Sequence, residues 1–215
     1  MHPIFLILSA LMILTGPFGC SPTGVAGSGV ERSETRRLEP FDTVQLECAG
    51  IIDIVIGRPQ AMKITCDDNL LPLIETRVRE GRLFIRPSRI IRDYRLTIEI
   101  TAEDIKRLEL HGAGVLKLTG VDNERLELAL SGAAKATISG RTRRFEPTLS
   151  GIGSLRAGAL TAREVDVRMS GIGSADVHAL EKLDVTISGS GSVSYRGEPE
   201  ISKNISGLGS LRRKE

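Results

Sequence analysis

Ser150-Gly151-Ile152-Gly153-Ser154-Leu155 returns as Ser170-Gly171-Ile172-Gly173-Ser174-Ala175, and this recurrence decides the fold. Related segments begin at His111, Ser131, Ser188 and Ser206. The six starting residues lie 20, 19, 20, 18 and 18 positions apart, a repeat of about 19 residues running to the C-terminal region. A period in this range marks stacked supersecondary units.

Ahead of each segment the sequence alternates, as in Leu126-Glu127-Leu128-Ala129-Leu130 and Val165-Asp166-Val167-Arg168-Met169. Strict alternation predicts half-buried strands. Counting back from each segment gives an inward column of Leu110, Leu130, Leu149, Met169, Ile187 and Ile205. A second column holds Leu108, Leu128, Pro147, Val167, Val185 and Lys203. After the glycine pair, Leu116, Ala136, Leu155, Ala175, Val193 and Leu211 fall on the same side. Each repeat is then two short strands and a glycine corner, too little to bury its own apolar face, so repeats must stack like over like. The expected fold is all-β, a β-helix with about 19-residue rungs, its corner glycines adopting positive φ. Lys203 and Arg213 mark the last rung as a frayed or capping turn.

Composition agrees with a thin layered core. Aromatic residues make up 3% of the 215, Trp is absent and Gly numbers 23. The 29 basic and 27 acidic residues give a formal charge of +2, with the signs interspersed until Arg212-Arg213-Lys214. That balance offers no basic face for nucleic acid.

Residues 4–14 form an apolar run too short to span a bilayer but of the length of a secretory h-region, although Met1-His2-Pro3 supplies no basic n-region. Gly19-Cys20-Ser21 then resembles a lipoprotein processing site, with Pro17 where Leu is usual. The expectation is a signal peptide over 1–20, lipidation at Cys20 and contact with the membrane through that anchor only. Residues 21–40, rich in Gly, Ser, Thr, Arg and Glu, read as a flexible tether. Residues 41–215 form one domain. Within it, Val44–Glu47, Ile51–Ile56, Met62–Cys66, Leu83–Arg86 and Leu96–Ile100 are strand candidates, with a turn at Arg79–Arg82 and a loop or helical turn from Asp67 to Leu73.

Several of these stretches carry a resemblance: Phe41-Asp42-Thr43-Val44-Gln45-Leu46, Gly50-Ile51-Ile52-Asp53-Ile54-Val55-Ile56, Cys66-Asp67-Asp68-Asn69-Leu70-Leu71, and the repeated corners. They resemble the head GIN domain family of exported bacterial proteins, described as auto-transporter adhesins. The resemblance implies a right-handed, single-stranded β-helix outside the inner membrane, often behind a lipoprotein-type signal, and carries no catalytic residues. This chain reads Gly-Ile-Gly, Gly-Ser-Gly and Gly-Leu-Gly where the family's name indicates Gly-Ile-Asn, so no role for that Asn transfers.

The paired glycines never extend to GxGxxG, and His2, His111 and His178 are too scattered for a metal triad. His111 replaces the repeat's Ser and reads as an exposed corner residue. Glu127, Glu146, Asp166 and Asp184 share one outward column, about 4.8 Å apart if the rungs stack. Their repulsion is relieved by Arg144, Arg163 and Arg168, or the column is a strip for a hard cation such as calcium, or for a glycan. Cys48 and Cys66, 18 residues apart, are either a disulfide or two separately buried thiols. The function expected is a non-catalytic envelope module that binds a surface ligand, polysaccharide or protein, or scaffolds other envelope components. The alternative is a carbohydrate-active β-helix enzyme, which would need a groove where two acids and a base converge.

Overall fold

The computed structural model describes residues 24–214. The signal segment and Cys20 lie outside them. β1 (Val25–Ala26) and β2 (Glu31–Arg36) precede a first rung made of β3 (Thr43–Leu46) and β4 (Gly50–Ile56). The chain then runs through β5 (Ala61–Asp67), a 3-10 turn at Leu71–Leu73 and β6 (Ile74–Arg79). It returns as β7 (Arg82–Pro87), β8 (Ile91–Arg92) and β9 (Thr97–Ala102). β10 (Arg107–Leu110) opens the regular stack. Four long strands wrap it: β11 (Ala113–Leu130), β12 (Ala133–Leu149), β13 (Ile152–Met169) and β14 (Ile172–Ile187). β15 (Ser190–Arg196), β16 (Glu200–Ile205) and β17 (Leu208–Arg213) complete it.

Pairing between rungs is parallel and in register, with Leu130 opposite Leu149 and Met169 opposite Ile187. The fold is a β-solenoid, as the repeat predicts. All three inward columns are buried through the middle of the stack: Leu149 is 5% exposed, Met169 2% and Leu155 1%. At the last rung the columns open, and Lys203 is exposed. A charge in an edge rung discourages further strand addition.

Three expectations need correction. The repeat forms more than two short strands, because hydrogen bonding continues around the second bend and β11 to β14 run 16 to 18 residues each. The bend appears only as a register shift, between Leu118 and Val121 or between Thr137 and Ser139. The corner glycines also do not need positive φ. That conformation occurs instead at Gly120 and Gly140, at the second bend. At the corners the constraint is close approach: a Cβ on Gly151 would run into the carbonyl oxygen of Gly132, and one on Gly171 into that of Gly151.

Third, part of the expected tether is structured. β2 pairs antiparallel with β5, and β1 pairs with β8. Glu31–Arg36 shows no apolar alternation, but an edge strand needs only backbone N–H and C=O groups to join a sheet. Arg36 secures it, donating to the carbonyls of Leu71 (2.9 Å) and Ile74 and to the Thr76 hydroxyl (3.2 Å).

The stacking order departs from chain order. β3 lies between β7 and β10, and β4 between β9 and β11, so the coil of β7 to β9 sits on the far side of the first rung. The antiparallel strands β5 and β6 reverse the chain to make this possible, and with β2 they cover that end of the stack.

Candidate functional site

Alternation places one outward residue between each inward pair, so every rung adds a member to the same outward rows. One row pairs Glu127 with Glu146 and Asp166 with Asp184, while Phe145 opposite Val165 brings Glu146 beside Asp166. The predicted acidic column therefore exists. It is interleaved with cations. Arg107 lies 2.9 Å from Glu127, and Arg125 reaches both Glu127 (3.0 Å) and Glu146 (2.6 Å). Arg144 pairs with Glu146 at 2.7 Å, Arg168 with Asp166 at 2.5 Å and Lys182 with Asp184 at 2.9 Å. Arg163 faces Glu181 instead, at 3.8 Å. The contacts of Arg107 with Glu127 and of Arg125 with Glu146 cross rungs, which sequence proximity does not reveal.

Arg107, Arg125, Glu127, Glu146, Thr148 and Arg168 line a shallow groove of about 150 Å³, so two acids and several bases do converge there. Burial pushes the Glu146 carboxyl up, but hydrogen bonds from Arg144 and Arg125, with their charges, hold it below the usual carboxylate range. A glycosidase needs one carboxyl kept protonated as general acid. Glu146 is tuned the other way. Among the described residues no three His, Cys, Asp or Glu side chains converge to hold a metal ion.

Next to this groove the structure assembles a chain that the sequence reading passed over. His111 Nδ1 lies 2.6 Å from the Ser131 hydroxyl, and His111 Nε2 lies 3.2 Å from Glu109. Glu109 is the one acidic residue among the described residues that is buried, 7% exposed. Burial raises its carboxyl, and hydrogen bonds from Arg107 and His111 together with the charges of Arg107 and Arg82 outweigh that and hold it low. His111 stands in the repeat's Ser column, so only the rung register brings Ser131 against it.

That column, His111, Ser131, Ser150, Ser170, Ser188 and Ser206, is exposed at every position. Beside it Ile152 and Ile172 are register partners, 64% and 59% exposed, in a row that ends at Leu208. From Ser131 onward the corner is thus a ridge of hydroxyls, glycines and aliphatic side chains.

Cys48 and Cys66 are buried free thiols, so the disulfide weighed from the sequence is not formed. Cys48 sits just ahead of β4 and Cys66 in β5, and β9 lies between those strands, which puts about two strand spacings, roughly 10 Å, between the cysteines. A disulfide needs Cα atoms within about 7 Å. Burial pushes the Cys48 thiol up to about 12 and raises Cys66 as well, which leaves both protonated and inert.

At the covered end, four arginines gather where sequence reading saw only mixed charge. Residues 75–95 hold seven arginines against Glu75, Glu80 and Asp93, a local surplus that a window count would have revealed. Arg77, Arg79 and Arg86 line a groove of about 220 Å³ with Gln45, Glu47, Phe84 and Ile85. Arg82 lies over the Phe84 ring, 5.8 Å from its centre.

Comparison with known proteins agrees with this architecture. The family described as "Putative auto-transporter adhesin, head GIN domain" matches residues 40–199. A crystal structure described as a putative adhesin from Bacteroides fragilis superposes with a TM-score of 0.70 at 22% identity, covering 89% of this chain and 100% of that one. A second, from Parabacteroides merdae and described in the same words, gives 0.56 at 18% identity, covering 89% and 99%. No curated protein matches the chain.

Proposed function

The chain belongs to the head GIN domain family, and from that membership we propose that it is an exported, non-catalytic envelope module that binds an extended surface ligand along its solenoid. In this reading Cys20 carries the lipid anchor and the solenoid stands away from the membrane. One observation carries it: the serine column from Ser131 to Ser206 presents the same exposed hydroxyl rung after rung. A surface of constant period suits a ligand that is itself extended and repeating.

The test is a binding screen of the mature domain against glycans and envelope fractions, with fatty-acid labelling of the full chain. Saturable retention by one ligand class and labelling lost on Cys20→Ala support the reading. An inert domain, or a freely soluble unlabelled chain, overturns the corresponding half.

A second reading, a serine-based hydrolase, is favoured by the Glu109–His111–Ser131 chain, which has the order of carboxylate, imidazole and hydroxyl used for nucleophilic catalysis. A fluorophosphonate separates the two. Labelling of Ser131 that disappears in His111→Ala would establish the hydrolase, and an unlabelled protein leaves the binding module.

A further inference from the structure

We propose that the arginine groove over β6, β7 and the edge of β3 binds the uronate carboxylates of an acidic polysaccharide. This names the ligand class for the binding reading above and rests on it. Strand pairing sets the residues: Arg77 lies opposite Phe84, Arg79 opposite Arg82 and Glu75 opposite Arg86 in the antiparallel hairpin, while Gln45 lies opposite Phe84 on the other side.

The positive charge there is not consumed internally. Arg77 and Arg86 share one oxygen of Glu75, at 3.6 and 3.4 Å. Arg79 has no ion pair within 4 Å among the described residues and is exposed. Glu47, the other acid at the groove, accepts a hydrogen bond from Gln45 at 2.7 Å. Two or three guanidinium groups therefore keep free donors, and the planar fork fits a carboxylate with two parallel hydrogen bonds.

Phe84 makes the ligand a sugar rather than a bare anion. Among the described residues it is the only phenylalanine that is not buried, since Phe41 and Phe145 are 7% and 1% exposed. Arg82 lies over the half-exposed ring, 5.8 Å from its centre, and the remaining apolar surface of Phe84 can take the C–H face of a pyranose while Arg82 adds a donor beside it. An acyl chain finds no depth there, because Ile85 beneath is 1% exposed.

The experiment titrates the mature domain with a defined oligogalacturonate, a neutral dextran oligomer and phosphatidylglycerol vesicles. Oligogalacturonate is expected to bind, more weakly as salt rises, and dextran is not. Arg77→Ala/Arg79→Ala should lose at least tenfold in affinity. Phe84→Ala should lose severalfold with an unchanged salt dependence, and a melting temperature near the parent's confirms that each variant folds. Equal affinity in the arginine variant, equal binding of dextran, or a preference for the vesicles overturns the proposal. If the screen finds an envelope ligand whose binding ignores Arg77 and Arg79, the binding module stands and only this groove assignment falls. If nothing binds, both fall.

Discussion

Arg125 and Glu146 meet at 2.6 Å across two neighbouring rungs, and the same guanidinium holds Glu127 at 3.0 Å. One cation thus relieves the repulsion between two carboxylates stacked a strand spacing apart, which is why an acidic column is tolerated on this face.

Replacing Arg125 with Ala removes that relief while the side chain's own exposure keeps the loss modest. Chemical denaturation should show a destabilisation of about 1 kcal/mol, shrinking in high salt. An unchanged midpoint at low salt would mean that solvent alone screens the column.

The same contacts set a dependence on pH. Glu109 and Glu146 are held below their ordinary value of 4.5, so the folded state favours their ionised forms. Their contribution is complete above that value and is lost as pH falls through the folded-state values. The melting temperature should therefore drop as pH is lowered below 4.5, with a shallower slope in Glu109→Gln/Glu146→Gln. A double variant with the parent's slope would place the acid sensitivity elsewhere.

Calcium at millimolar concentration should leave the melting temperature where it is, because Arg125, Arg144, Arg168 and Lys182 already occupy the carboxylates of the column. A ligand stabilises only by binding the native state. A rise in melting temperature that Asp166→Asn abolishes would restore the cation strip.

At the corner, Gly151→Ala tests close approach. In an ordinary strand this change is neutral or stabilising. Here the new methyl meets the Gly132 carbonyl, and a loss of about 1–3 kcal/mol is expected from forced backbone movement. In the core, Leu149→Asp should cost more, about 4 kcal/mol or enough to unfold the domain, because it buries an unpaired charge. A Leu149→Asp variant that melts with the parent would refute the register.

Much of this architecture is local in origin. The alternation around Leu130, Leu149, Met169 and Ile187 specifies which face of each strand is buried, and the 19-residue repeat specifies what lies above and below. Both follow from a side-chain period of two and from rungs that cannot bury an apolar face alone. The family resemblance rests on the repeated corners and on three stretches nearer the N-terminus, within residues 41–71.

What the tertiary structure alone decided are relationships between rungs and between distant segments. The acidic column and its same-strand partners Arg144 and Arg168 were legible, but the contacts of Arg107 with Glu127 and of Arg125 with Glu146 cross rungs, and the partner of His111 is a serine one rung away. The polar β2 carries no periodic signal, because pairing at a sheet edge uses the backbone and not the side chains. The placement of β7 and β9 outside the first rung, which gathers Arg77, Arg79, Arg82 and Phe84 on one surface, depends on where a reversed chain finds a free parallel edge. Alternation determines which side chains face in, but it is equally satisfied by either neighbour in the stack, so the order of the rungs is settled only when the whole column packs.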